Sequence, residues 1–294
     1  MSRVLKSPGQ MVRAVVDDLV TTFFPADCRV CGGPLTGAGL SPLCTRCLDD
    51  LRTQEAELCV RCGEALDLDG LRFRQQVEGQ GVLCGPCRMA PPPFERAAAW
   101  GVYADGMREM IQMLKYEHMD TVARPLGALL ARVIDAMQKE QGGQAEGMGR
   151  DLVVIAVPLF KARQRRRGYN QSVLLADEAV RGLKASEGWR LRVAHSALVR
   201  MRGTESQFGL SASARRRNLR GVFAVADPAA VSGREVLLVD DIYTTGATAR
   251  ECSRVLRQAG ASKVWVATAA RAQKETVARW SSETLSARGE AVLV

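Results

Sequence analysis

Eight of the nine cysteines in this chain fall in four Cys-x-x-Cys pairs: Cys28/Cys31, Cys44/Cys47, Cys59/Cys62 and Cys84/Cys87. The first 90 residues that hold them are rich in glycine and poor in periodic apolar pattern, so they cannot bury a core of their own. Zn²⁺ takes four ligands in a tetrahedron, and four thiolates form a closed structural set. Four pairs therefore imply two structural zinc ions, which hold together a segment with too little apolar content to fold alone. Glycine follows the second cysteine in Cys31-Gly32 and Cys62-Gly63, and Gly85 lies inside the last pair, where it helps a tight turn direct N–H groups toward sulfur. Sequential pairing gives two ribbons, 28/31/44/47 and 59/62/84/87; a cross-braced arrangement is the alternative. Each set has its fourth ligand, which argues against a catalytic zinc. Cys252 stands alone on a predicted helix and reads as a small core residue.

The N-terminus lacks the charged-then-apolar pattern of a signal peptide, and the expected setting is the reducing cytoplasm, at the inner face of the membrane where partners recruit the protein. No apolar run approaches the roughly 20 residues that would span a bilayer. Met11–Phe23 carries Val12, Val15, Val16, Leu19 and Val20 at helical spacing and is expected to form an amphipathic helix. Pro91-Pro92-Pro93 is a stiff connector. Beyond it, strand-like and helix-like segments alternate, which predicts an α/β fold with a parallel sheet. Expected strands are Ala97–Tyr103, Leu152–Val157, Glu235–Val239 and Lys263–Ala269. Expected helices are Met107–Tyr116, Thr121–Gln138, Asn170–Lys184 and Thr248–Gln258. The division expected is an N-terminal helix (1–24), a zinc-ribbon region (25–93), an α/β domain (94–275) and a polar tail (276–294).

The segment Val236-Leu-Leu-Val-Asp-Asp-Ile-Tyr-Thr-Thr-Gly-Ala-Thr248 concentrates the chemistry. Four apolar residues read as a buried strand. Asp240 and Asp241 follow, then a hydroxyl-rich turn around Gly246 and the start of a helix. Free N–H groups at a helix start attract phosphate, and glycine permits close approach. Carboxylates suit the hydroxyls of a ribose. Ligands of open parallel sheets bind at the carboxyl ends of strands. The formal net charge of +9 favours anionic partners. Two basic runs supply much of it: Lys161, Arg163, Arg165, Arg166 and Arg167, expected in a loop after the Val154–Leu159 strand, and Arg200 to Arg220, which reads as a mobile basic lid.

The Asp240–Thr248 segment resembles the 5-phosphoribosyl-1-pyrophosphate (PRPP) motif of type I phosphoribosyltransferases. The chain as a whole resembles the ComF family, in which a double zinc ribbon precedes a phosphoribosyltransferase domain. The marks are Phe24-Pro25, Leu114-Lys115-Tyr116, Val157-Pro158-Leu159, Arg167-Gly168-Tyr169-Asn170-Gln171, Arg200-x-Arg202-x-Thr204-x-x-Gln207-x-x-Leu210-Ser211, Arg217-Asn218 and Asp240–Thr248. Phe160 stands where many members have His, and Tyr169 where many have Phe. The resemblance implies a type I phosphoribosyltransferase-like sheet. It assigns Asp240 and Asp241 to the ribose 2′- and 3′-hydroxyls, and to any catalytic role. It assigns Thr244, Thr245, Gly246, Ala247 and Thr248 to the 5′-phosphate. Val157, Pro158 and Leu159, followed by Arg163, fall to the pyrophosphate, with Mg²⁺ bridging pyrophosphate and ribose. It also implies a role in natural competence, with imported single-stranded DNA and a DNA-uptake helicase or recombination mediator as partners. Competing expectations are a phosphoribosyltransferase of base or nucleotide metabolism, and a non-catalytic PRPP-sensing DNA-binding protein. The acceptor and the oligomeric state are not written in the sequence. His118 and His195 are expected as core or surface residues.

Overall fold

The computed structural model describes residues 26–35, 41–54, 57–66, 81–139, 148–203 and 219–273. Met11–Phe23, Phe24-Pro25, residues 204–218 of the expected lid and the tail 276–294 lie outside them. Two five-residue helices, α1 (Thr45–Asp49) and α2 (Gly85–Met89), follow the first cysteines of the second and fourth pairs. The remaining elements run β1 (Arg96–Val102), α3 (Asp105–Tyr116), α4 (Ala123–Lys139), β2 (Asp151–Ala156), α5 (Lys161–Arg167) and α6 (Gln171–Lys184). They continue through β3 (Arg190–Val193), β4 (Leu198–Arg200), β5 (Phe223–Val225), β6 (Glu235–Tyr243), α7 (Ala247–Gln258) and β7 (Lys263–Arg271).

Five strands form one sheet in the order β1-β7-β6-β2-β3, with every pair parallel. This is the expected parallel sheet flanked by helices. From β2 the chain builds outward through β3; from β6 it builds the opposite way through β7. The order therefore reverses between β2 and β6, where a crevice opens at the carboxyl ends of the strands. Apolar runs such as Val236–Val239 are buried on both faces because both faces are covered.

Alternate residues of each strand enter two cores. Leu237, Val239 and Ala267 meet α3, α4 and α6 on one face. Val236, Leu238 and Val266 meet α7 and the antiparallel β4–β5 pair on the other. The two zinc ribbons divide between these layers: Cys28, Leu43, Cys47 and Leu51 join the first core, whereas Cys59, Cys62, Val82, Cys84 and Cys87 join the second. The ribbons also cover the free edge of the sheet. Ala97 N–H on β1 donates to the Arg61 carbonyl at 2.8 Å, Gln54 Nε2 donates to the Ala99 carbonyl at 3.3 Å, and Thr53 bridges Gly101. An edge strand paired in this way is closed to a second chain.

The structure corrects three readings of local structure. β6 does not stop at Val239 but continues through both acids to Tyr243, because β7 pairs with it to Tyr243↔Arg271. Lys161–Arg167 is a helix rather than a loop. Arg200 is not in a lid but in β4, register-paired with Phe223.

Candidate functional site

The four pairs close sequentially. The sulfurs of Cys28, Cys31, Cys44 and Cys47 lie within 4.8 Å of one another, and so do those of Cys59, Cys62, Cys84 and Cys87. A tetrahedron with Zn–S bonds of about 2.3 Å has edges of about 3.8 Å. Cys31 and Cys44 Sγ are 3.8 Å apart, and Cys62 and Cys84 Sγ 3.6 Å, so both sets fit zinc. Gly32 and Gly63 take the left-handed conformation (φ 68° and 67°) that turns each knuckle back on itself. Their N–H groups donate to the carbonyls of Cys28 and Cys59 at 2.8 Å.

The second centre touches the sheet directly. Arg271, at the end of β7 and 2% exposed, donates to the Cys62 carbonyl and pairs with Glu64. The first centre reaches α3, where Arg29 Nη2 donates to Glu117 Oε2 at 2.5 Å.

At the switch point, the residues assigned to phosphate surround a small concavity. Asp240, Thr244, Thr245, Gly246, Ala247 and Thr248 line it from β6 and α7, and Val157 from the end of β2. Gly246 is the N-cap of α7 with φ 72°, and no side chain among the described residues caps the helix. The first N–H groups of a 12-residue helix are therefore free to meet an anion. A Cβ on Gly246 would lie 2.1 Å from the Tyr243 hydroxyl, so both conformation and space demand glycine. Val157 is held on both sides. Its N–H donates to the Val239 carbonyl at 2.9 Å, and its carbonyl accepts from Asn170 Nδ2 at 3.0 Å. Pro158 and Leu159 follow and lead into α5, where Lys161, Arg163, Arg165 and Arg166 are all exposed.

The two acids point apart, as strand alternation requires. Asp240 lines the concavity, and its Oδ1 accepts from Ser172 Oγ at 2.8 Å and from Asp241 N–H at 3.0 Å. Burial, then the neighbouring Asp241 charge, push its carboxyl up to about 7. Asp241 faces α3 instead. Its Oδ1 lies 2.9 Å from Lys115 Nζ, with side chains 6% and 18% exposed. Burial works against the Lys115 charge, but Asp241 and Asp240 outweigh it and raise the ammonium above its ordinary value.

Lys115, Ser172 and Asn170, outside the expected ligand set, hold its residues Asp241, Asp240 and Val157. Lys115 and Asn170 stood in singled-out motifs without a role of their own, and Ser172 directly follows the Arg167–Gln171 motif. Tyr169 Oη donates to the Leu114 carbonyl at 2.7 Å, and the Arg167 guanidinium lies 5.7 Å from the Tyr116 ring centre. The Leu114–Tyr116 turn therefore braces α5. His195, on the way from β3 to β4, accepts from Ala156 N–H at 3.0 Å and meets Asp177 at 3.1 Å, which steadies the end of β2.

The chain is similar to several known proteins. Residues 19–88 match the double zinc ribbon domain family. The chain is 33% identical over 242 residues to DNA utilization protein YhgH of Escherichia coli O157:H7, covering 82% of this chain and 95% of that protein. It is 32% identical over 252 residues to Competence protein F of Haemophilus influenzae, covering 85% and 99%. Among solved structures, a glutamine PRPP amidotransferase from B. subtilis aligns at 18% identity and a TM-score of 0.32, over 53% of this chain and 30% of that one. With near-complete coverage of relatives at this identity, and two sequentially closed Cys₄ sets ahead of a parallel sheet, the chain belongs to the competence protein F (ComF) family.

Proposed function

We propose that the chain binds Mg²⁺–PRPP at the β2/β6 switch point and serves DNA utilization, handling imported single-stranded DNA. One observation carries the reading. A half-buried carboxyl, four threonines, an obligatory glycine and a helix start with no side-chain cap among the described residues surround one concavity where the strand order reverses. That combination offers backbone N–H groups to a phosphate and a carboxylate to a sugar hydroxyl.

In this reading the Thr244–Thr248 turn takes the 5′-phosphate, and Asp240 and Asp241 orient the ribose hydroxyls. Val157-Pro158-Leu159 with Arg163 receive the pyrophosphate. Mg²⁺ would neutralise pyrophosphate charge. A site so built supports phosphoribosyl transfer, in which the bond from the sugar carbon to pyrophosphate breaks and a bond to the acceptor forms. The chain's part is electrostatic, holding the sugar while pyrophosphate leaves. The exposed basic face of α5 suits a phosphate backbone, and the names of the relatives favour DNA over free bases as the wider setting. The test is pyrophosphate release from PRPP against a panel of bases, nucleosides and single-stranded DNA. Release with one acceptor identifies the reaction; binding of PRPP without release under any acceptor reduces the role to PRPP sensing.

A further inference from the structure

Tyr116 is the last residue of α3 and is 69% exposed. One exposed ring means little by itself; its position gives it weight. The turn beneath it is fixed, by Tyr169 Oη on the Leu114 carbonyl and by Arg29 on Glu117. His118, in the left-handed conformation at φ 56°, then turns the chain so that its Nδ1 meets the Arg167 carbonyl at 3.0 Å. The ring is thereby held at the end of α5, with the Arg167 guanidinium 5.7 Å from its centre. That guanidinium is itself held, since it donates to Gln171 Oε1.

Arg167 is the near end of a row of cations. Arg163 stands one turn earlier on α5, about 6 Å along the helix, and its charge reaches both Arg167 and Arg200 on β4. Burial first, with the Arg163 charge adding to it, holds both guanidiniums below their ordinary value. Cations this close repel one another, and a polyanion relieves the repulsion. A cation row that ends at an exposed aromatic ring matches a single strand: the cations track the backbone and the ring takes the face of a base. A duplex keeps its base faces stacked inside, so it gains from the cations alone. We propose that Tyr116 is a base-stacking platform at the end of the α5 cation row, so that this surface takes single-stranded nucleic acid in preference to a duplex. This rests on the reading of α5 as a path for single-stranded DNA. It adds a source of strand preference that phosphate contacts do not supply.

The experiment follows fluorescence anisotropy of labelled strands with the zinc-loaded full chain. Two strands of equal length are compared: oligothymidylate, and an abasic strand with the same phosphates and no bases. Wild type should bind oligothymidylate at least about fivefold more tightly than the abasic strand. Tyr116→Ala should lose that preference. Its affinity for the abasic strand and for a duplex, and its salt slope, should stay those of wild type, because stacking neutralises no phosphate. Tyr116→Trp should keep the preference, and oligothymidylate but not the abasic strand should quench the emission of the added indole. An unchanged preference in Tyr116→Ala overturns the proposal. So does an equal loss of affinity for both strands, which would reduce the ring to a support for Arg167. Equal binding of the two strands by wild type also overturns it and leaves α5 as a DNA path. No binding of either strand by wild type at low salt removes the DNA reading itself, and the proposal with it.

Discussion

The guanidinium of Arg271 donates to the main-chain carbonyl of Cys62, tying the last residue of a central strand to a ligand of the second zinc centre. The same guanidinium lies 4.3 Å from the ring centre of Tyr243. The Tyr243 hydroxyl in turn fills the space beside Gly246. Three side-chain contacts therefore lead from the zinc knuckle to the phosphate turn. The metal region is part of the sheet's architecture at this point, not an appendage.

Arg271→Met should destabilise the fold by about 3 kcal/mol, because it strands Glu64 without its buried partner and removes the donor to Cys62. Thermal unfolding checks this. Chelator-driven zinc release should also quicken for one of the two ions. Unchanged release of both would remove the link between strand and knuckle.

The two centres close separately, so they should fail separately. Elemental analysis of wild type should give two zinc per chain, and Cys28→Ser or Cys87→Ser one each. Removal of both ions should unmask apolar residues of both cores, since each ribbon supplies one layer.

Gly246→Ala should abolish sugar-phosphate binding and cost about 1 kcal/mol or more from the left-handed backbone alone. The double variant Gly246→Ala/Tyr243→Phe removes the hydroxyl that the new methyl would strike, and should recover part of the stability. Chemical denaturation of the pair of variants measures both effects.

How much of this was legible in the sequence depends on how far a side chain reports its own neighbours. Val236–Val239 announced a buried strand because a strand covered on both faces is apolar throughout. Its continuation through Asp240–Tyr243 was hidden, because charge and hydroxyl end the apolar run while β7 still pairs with it. Helix α5 has no buried residue and so no apolar period to read. Edge strand β3 is mostly exposed, and β4 pairs with β5 across a long stretch of chain. The ligand turn was visible because its residues are consecutive. Lys115 on Asp241 and Ser172 on Asp240 were not, because each contact joins elements far apart in the chain.

The Asp240 carboxyl gives a pH dependence with a definite sign. Its value is held up at about 7 in the folded protein against 3.8 in its ordinary state. Between these values the native state binds more protons than the unfolded chain. Stability should therefore fall as pH rises from about 4 to about 7, with the penalty complete above that. Asp240→Asn should stabilise the protein at pH 8 by about 1 kcal/mol or more and change little at pH 4. Melting temperatures across this range check it.

Charge reversal at Arg163, Arg165 and Arg166 should weaken single-stranded DNA binding. Its salt dependence should flatten by about 0.7 in log–log slope for each phosphate that is no longer neutralised. All three are exposed on α5, so the fold should be unaffected. A slope equal to that of wild type would remove α5 from the DNA path.

Calorimetric titration of Mg²⁺–PRPP into wild type and into Asp240→Asn/Asp241→Asn tests the central claim most directly. Wild type should bind one PRPP per chain, and the folded double variant should bind at least about 100-fold more weakly. No binding by wild type, or equal binding by the double variant, would contradict the account.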